Sequence, residues 1–363
     1  MDYSQRITLL QDYLKKQNLD NLLIDDPIDL FYLTGVSLSL GRIVITQNTA
    51  RLFVDGRYFE SCQKSSPVPT KLSDKNAFLK FLSSSQKGPM TLGFDSKYTS
   101  FSAFQALSEL LSKNSQTDIS LVPVESPLRD IRCIKESEEI LSLKKAAKLG
   151  SRGFDYACTL LKENISEKEI ATELEIFWKR EGSDKIAFDI NVSFGANSSM
   201  PHHRAGSSML REGDTVLMDI GVTLNNYNSD MTRVVFFGRA DPEILKIYNI
   251  VQKAQETALE LCRPGMPIGE LDKISRKVIE DAGYGKYYTH SLGHGIGLEV
   301  HEFPIIKSSA PYSESTLAAG MAITIEPGIY LPKRGGVRIE DTVVITEDSY
   351  ENLTLRPKDP VVL

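Results

Sequence analysis

Two apolar β-rich runs, each interrupted or headed by one aspartate, constrain this chain more than any other feature. Residues 215 to 221 read Thr-Val-Leu-Met-Asp-Ile-Gly, and residues 231 to 237 read Met-Thr-Arg-Val-Val-Phe-Phe with Asp230 at their head. Apolar runs of this length are strands buried in a sheet. A carboxylate placed there must find a partner or stay uncharged. Asn225-Asn226-Tyr227-Asn228 between the runs is turn chemistry. A hairpin centred on Leu224 and Asn225 sets Asp219 directly opposite Asp230, close enough for the two carboxylates to share a ligand. They repel each other unless a cation neutralises them.

The pattern recurs downstream. The strand from Ala322 ends at Glu326-Pro327-Gly328, and Val337 to Asp341 reads as another strand after Gly335-Gly336. Its two-residue period puts Arg338 and Glu340 on one face. The chain has five histidines and none before His202, with His203 beside it and His290, His294 and His301 in the stretch from His290 to Glu302. Gly293, Gly295 and Gly297 surround His294. They leave little bulk near its imidazole and permit backbone angles closed to other residues.

Asp219, Asp230, His294, Glu326 and Glu340 are thus the candidate ligands, four carboxylates and one imidazole. Such a donor set favours Mn²⁺, Co²⁺ or Fe²⁺ over a thiolate zinc site. Five ligands exceed what one open-sided ion needs, whereas two ions about 3.5 Å apart can be bridged by carboxylates. Each residue alone has a plainer explanation: a turn acceptor for a strand aspartate, a surface position for Glu326, a solvated charge run for Glu340 with Asp341, a satisfied core histidine for His294. Those explanations would have to hold independently at five places.

The rest of the chain supplies bounds. A net charge of −6 gives no electrostatic reason to expect nucleic acid or anionic membrane as a partner. The N-terminal segment shows no signal peptide and no membrane-spanning run, so a cytoplasmic protein is expected. Cys62, Cys133, Cys158 and Cys262 are scattered without paired spacing and read as free thiols. Before residue 124, helical periodicity near Ile7 to Leu14 and 101–111 alternates with strand-like runs at 21–24, 41–45, 50–54, 90–94 and 119–124, an α/β domain. The second and third of these strands look like a hairpin. Asp55-Gly56-Arg57-Tyr58 reads as an exposed turn leading into a helix. A polar connection flanked by Pro123 and Pro127 divides the chain into 1–126 and 127–363. Helices follow near 136–162, from Ser166 with its Glu169 capping box to Arg180, and at 242–261 and 268–282.

Asp219-Ile220-Gly221, Ser229-Asp230-Met231-Thr232-Arg233, Gly293-His294-Gly295-Ile296-Gly297, Thr324-Ile325-Glu326-Pro327-Gly328-Ile329-Tyr330 and Val337-Arg338-Ile339-Glu340-Asp341 resemble, in order, the five motifs of the pita-bread metallopeptidases. The branch most similar is that of the Xaa-Pro aminopeptidases and Xaa-Pro dipeptidases. Phe31-Tyr32-Leu33-Thr34-Gly35 and the turn at 55–58 extend the resemblance to a creatinase-like N-terminal domain. The resemblance implies an α/β N-terminal domain followed by an α+β pita-bread catalytic domain. It implies two divalent ions, Mn²⁺ first and Co²⁺ or Zn²⁺ next, held by the five candidates, and attack by a metal-bridging hydroxide with Glu326 as proton acceptor.

By the same resemblance, His202 assists at the scissile bond and His301 stabilises the tetrahedral intermediate. Tyr330 and Arg338 orient ligand carboxylates, and Val300 forms an apolar wall for the proline ring. His203 is expected to point away, since one imidazole of an adjacent pair must. The implied activity is that of an Xaa-Pro aminopeptidase on peptides with proline second, with a dipeptide-restricted Xaa-Pro dipeptidase as the alternative and a non-catalytic peptide-binding protein as a remote one. A homodimer is the implied assembly.

Overall fold

The computed structural model describes residues 1–85, 88–113 and 118–363. The chain separates into two compact units, Met1–Ile131 and Arg132–Leu363.

The first unit contains α1 (Tyr3–Lys16), β1 (Asn21–Ile24), α2 (Pro27–Thr34), β2 (Arg42–Thr46), β3 (Ala50–Val54), α3 (Phe59–Ser65), β4 (Thr70–Leu72), α4 (Lys75–Ser85), β5 (Met90–Asp95), α5 (Phe101–Ser112) and β6 (Ile119–Val124). Its six strands form one sheet in the order β4-β3-β2-β1-β5-β6. The β2–β3 hairpin runs in the register Arg42↔Phe53 to Ile45↔Ala50. Leu23, Val44, Phe53 and Leu92 of the sheet pack against Phe78 and Leu82 of α4 and Leu107 and Leu111 of α5. Asp55 and Arg57 pair with each other at the surface ahead of α3.

A short helix, α6 (Arg129–Cys133), spans the division. The second unit continues with α7 (Ser137–Leu160), α8 (Glu167–Arg180), β7 (Lys185–Ile186), β8 (Asn191–Phe194), β9 (Thr215–Ile220), β10 (Val222–Leu224), β11 (Tyr227–Asn228) and β12 (Met231–Phe236). Then come α9 (Pro242–Leu259), α10 (Ile268–Asp281), β13 (Gly293–Gly295), β14 (Glu302–Ile306), β15 (Ala322–Ile325), β16 (Gly328–Leu331), β17 (Gly335–Arg338), β18 (Asp341–Ile345), β19 (Tyr350–Asn352) and β20 (Val361–Val362). Ser166 and Glu169 form the capping box that opens α8, and Gly182 leaves it with φ +88°. Two sheets carry the chemistry, one ordered β20-β12-β9-β8 and the other β14-β13-β15-β18-β19. Leu149, Leu174 and Trp178 of α7 and α8 cover the first, while Ala258 and Leu259 of α9 with Ile268 and Leu271 of α10 pack on Ile323, Ile325 and Val343 of the second.

The aspartate hairpin differs from its expected register. Leu224 pairs with Tyr227 and Asp219 with Thr232, so the turn is Asn225-Asn226 and Asp219 does not face Asp230. Both asparagines take positive φ, 52° and 68°. Two such residues make the tight turn whose twist suits a hairpin, and it moves the centre by one residue. Because both registers share the same parity, Asp219 and Asp230 still project from one face as diagonal neighbours.

The run from Val337 to Asp341 is also not one strand. β17 ends at Arg338 and pairs with β16, β18 starts at Asp341 and pairs with β15, and Glu340 lies in the break between them. All four cysteines are free, three of them buried. No helix among the described residues is long and apolar enough to cross a membrane.

Candidate metal centre

Four of the five candidate ligands sit at or beside a strand end or a strand break, and the fifth lies within a short strand. Asp219 is the next-to-last residue of β9, Asp230 precedes β12, His294 is the middle of β13, Glu326 follows β15 and Glu340 fills the β17–β18 break. Hydrogen bonds tie the two sheets together at this level. Thr342 Oγ1 donates to the Asp230 carbonyl at 2.9 Å, and the Glu340 amide donates to the Thr232 carbonyl at 3.2 Å.

Asp230, His294 and Glu340 are all buried, and each offers one donor atom within 4.8 Å of the others. Glu326 Oε1 lies 3.3 Å from His294 Nε2. His294 Nδ1 donates to the Gly295 carbonyl at 3.0 Å, which leaves Nε2 as a lone pair turned towards Glu326 and towards Asp230 Oδ2 at 3.7 Å. Burial, and after it the neighbouring His301, lower the His294 pKa to about 4, so the ring is neutral near pH 7. Acceptor thus faces acceptor. Asp230 Oδ1 is buried with no hydrogen-bond partner. Burial, followed by repulsion from Glu340 and Asp219, pushes the Asp230 pKa well up, while burial and Glu340 do the same to Glu326. An inward-facing set of hard oxygen donors, one imidazole lone pair and one orphaned carboxylate oxygen fits a divalent cation.

Arg338 organises the remaining carboxylate. Its Nη2 donates to Asp219, its Nε to Thr232 Oγ1 at 3.0 Å and its Nη1 to the Tyr330 hydroxyl at 2.7 Å. Thr232 in turn donates to Glu340 Oε2 at 2.8 Å. The Tyr330 hydroxyl, having accepted from Arg338, donates to His290 Nε2 at 2.9 Å, and His290 Nδ1 donates to the Ser291 carbonyl. Burial, then the Arg338 charge, lowers the His290 pKa to about 3, so His290 closes this chain as a neutral acceptor.

His202 and His301 are exposed to solvent. The His301 ring meets His294 edge-on with centroids 4.4 Å apart. Val300 is half-buried beside the His294 ring. His203 turns away, its Nε2 2.8 Å from Glu167 Oε2.

Two expectations from the sequence need physical correction. The glycines around His294 are not there for backbone freedom, since none of the three has positive φ. They permit close approach: a Cβ on Gly293 or Gly295 would strike the carbonyl of Thr324 or Phe303, and one on Gly297 would reach the Glu302 carboxylate at 2.7 Å. Glu340 and Asp341 are buried, so they are not a solvated charge run.

Several buried charge pairs around the centre were not expected from the sequence. Glu302 Oε1 accepts from Arg132 at 2.6 Å and from the Glu299 amide at 3.0 Å, and Oε2 accepts from Lys135 at 3.0 Å. Arg233 and Asp341 pair at 2.6 Å. The available signal was charge inside apolar strands, the same one that marked the candidate ligands.

Residues 142–347 match the model of metallopeptidase family M24, and residues 6–134 match that of the creatinase/prolidase N-terminal domain. The chain is 36% identical over 354 residues to a protein of Pyrococcus furiosus named Xaa-Pro dipeptidase, covering 96% of this chain and 97% of that protein. A solved Xaa-Pro dipeptidase from Bacillus anthracis superposes with a TM-score of 0.93 at 31% identity, covering the whole of both chains. An X-Pro aminopeptidase structure from Thermotoga maritima superposes with a TM-score of 0.86 at 32% identity, covering 95% of this chain and 98% of that one. The chain therefore belongs to metallopeptidase family M24, with a creatinase-type N-terminal domain ahead of its pita-bread catalytic domain.

Proposed function

We propose that this chain is an Xaa-Pro dipeptidase that works with two divalent ions, Mn²⁺ by preference, held by Asp219, Asp230, His294, Glu326 and Glu340. The observation that carries the metallopeptidase chemistry is the neutral His294 Nε2 facing Asp230 and Glu326 across a buried space, with Asp230 Oδ1 orphaned. Favouring the dipeptidase over the aminopeptidase are the similar proteins named Xaa-Pro dipeptidase, from Pyrococcus furiosus and Bacillus anthracis. The Thermotoga maritima likeness supports the aminopeptidase as the second reading.

Divalent ions, when bound, supply Lewis-acid activation of water and of the scissile carbonyl. Glu326, whose pKa is raised by burial and by Glu340, takes the proton of the attacking water and delivers it to the leaving nitrogen. That delivery matters for an Xaa-Pro bond, whose tertiary amide nitrogen has no proton of its own. His202 and His301, on the solvent side, hold the substrate carbonyl and the charge that develops on it. Arg338 keeps Asp219 turned inwards and, through Thr232, steadies Glu340.

The test is hydrolysis of Xaa-Pro and Xaa-Pro-Xaa peptides by metal-stripped protein with and without added Mn²⁺. Mn²⁺-dependent cleavage confined to the dipeptide is the expected result. Release of the N-terminal residue from the tripeptide would move the assignment to aminopeptidase, and equal cleavage of Xaa-Ala and Xaa-Pro would remove the proline specificity.

A further inference from the structure

The loop that carries His202 runs from the end of β8 to the start of β9 with a single 3₁₀ turn, Gly195–Ser199, as its only regular element. Loops of this kind owe their conformation to side chains that satisfy their backbone groups. Here one side chain draws four donors of the loop together. The Glu167 carboxylate, in the first turn of α8, is fully buried. Its Oε1 accepts from the Phe194 amide and from Asn197 Nδ2, both at 2.8 Å, and its Oε2 accepts from His203 Nε2 at 2.8 Å and the Gly206 amide at 3.0 Å. Four donors fill the capacity of a carboxylate, and all four belong to the 194–206 segment. Among the described residues no lysine or arginine forms an ion pair with it.

Glu167 is not needed as a helix cap. Ser166 already accepts from the Glu169 amide, and the Glu169 side chain returns the bond. The donors to Glu167 come from the loop, not from the first turn of α8. The second tether lies on the other side of His202. Asn191 Nδ2 donates to the Pro201 carbonyl at 3.1 Å, and Asn191 is the residue paired with Asp219 in the β8–β9 ladder. Both neighbours of His202 are therefore held, Pro201 from the strand beside Asp219 and His203 from Glu167, while the His202 ring stays exposed.

We infer that Glu167 is the positioning residue for His202: its carboxylate gathers the 194–206 loop so that the imidazole stands over the metal centre. This rests on the reading of His202 as a substrate-side group. Glu167→Gln keeps the size of the side chain but turns one acceptor into a donor facing two donors. It breaks the arrangement without emptying the site.

The experiment compares Glu167→Gln, His202→Ala and the double variant for kcat and KM on an Xaa-Pro dipeptide, with metal content and urea stability measured on each. A misplaced imidazole is expected to lower kcat in Glu167→Gln by about 10- to 100-fold with bound metal unchanged. In the His202→Ala background the same change should cost nothing further. Equal losses in both backgrounds, or a Glu167→Gln enzyme with unaltered kcat, would overturn the positioning role. A fully active His202→Ala enzyme would instead remove the substrate role of His202, and the inference with it. Should Glu167→Gln fail to fold, His203→Gln and His203→Leu decide: the amide can still donate to Glu167 and should retain more kcat than the leucine, and equal kcat in the two would count against the inference.

Discussion

Arg233 and Asp341 form a buried ion pair, each one residue along the chain from Thr232 and Glu340, which meet at the metal centre. Adjacent strand residues point to opposite faces, so the Thr232 contact looks into the site and the Arg233 contact looks behind it. Arg233 Nη1 also donates to the carbonyls of Glu340 and Thr232, at 2.6 and 3.0 Å. The break in which Glu340 sits is thereby held from the rear. Asp341 gathers Gln255, Asn352 and Lys358 as well.

Removing Asp341 leaves Arg233 uncompensated in the interior. Asp341→Ala is expected to destabilise the protein by about 3–5 kcal/mol and to weaken metal binding by about 10- to 100-fold through loosening of Glu340. Urea denaturation and metal titration report the two effects. An unchanged denaturation midpoint would show that the pair does not support this region.

Asp230→Asn tests the centre itself. The substitution removes one of several carboxylates that repel each other across the buried space. The variant should lose bound metal and peptidase activity, yet in metal-free solution at pH 7 it should be more stable than the metal-free parent. Metal analysis and thermal denaturation of both metal-free proteins would check it. A less stable metal-free variant would mean that the Asp230 carboxylate serves packing and not a cation.

Glu302 predicts a feature of the acid limb. Burial alone would raise its pKa, but Lys135 and then Arg132 hold it down at about 2. A carboxylate whose folded pKa lies below its unfolded value contributes stability above the unfolded value and loses it as pH falls through the folded one. The contribution, about 3 kcal/mol, should therefore disappear between about pH 4.5 and pH 2, and Glu302→Gln should flatten stability against pH over that window. It should also lower turnover, because the same carboxylate accepts from the Glu299 amide, two residues before His301. Parallel acid-denaturation curves for the two proteins would rule the assignment out.

The candidate ligands were legible because a carboxylate inside an apolar strand conflicts with burial, and that conflict can be read from the residues alone. It identified Asp219, Asp230, Glu326 and Glu340 as a set and brought His294 with them. The same conflict holds for Arg233 and Asp341, but a charge next to a candidate ligand resembles a solvated run until its burial is known. Glu167 and Glu302 left a fainter trace still. Their partners lie 27 to 39 residues away for Glu167 and 167 or more for Glu302 on the Arg132 and Lys135 side.

Local chemistry settled the helices and most strands. The Ser166–Glu169 capping box, the alternation near the N-terminus and the β2–β3 hairpin follow from near neighbours, and the sequence determined them by itself, together with the residue types at the centre. Only the tertiary structure decided the register of the aspartate hairpin, through the positive φ of Asn225 and Asn226, and the break at Glu340, where β17 and β18 leave to pair with different strands. It also decided why glycines flank His294. Their role is set by the carbonyls of Thr324 and Phe303, which only folding brings within reach, and such distances are not encoded in any local pattern of residues.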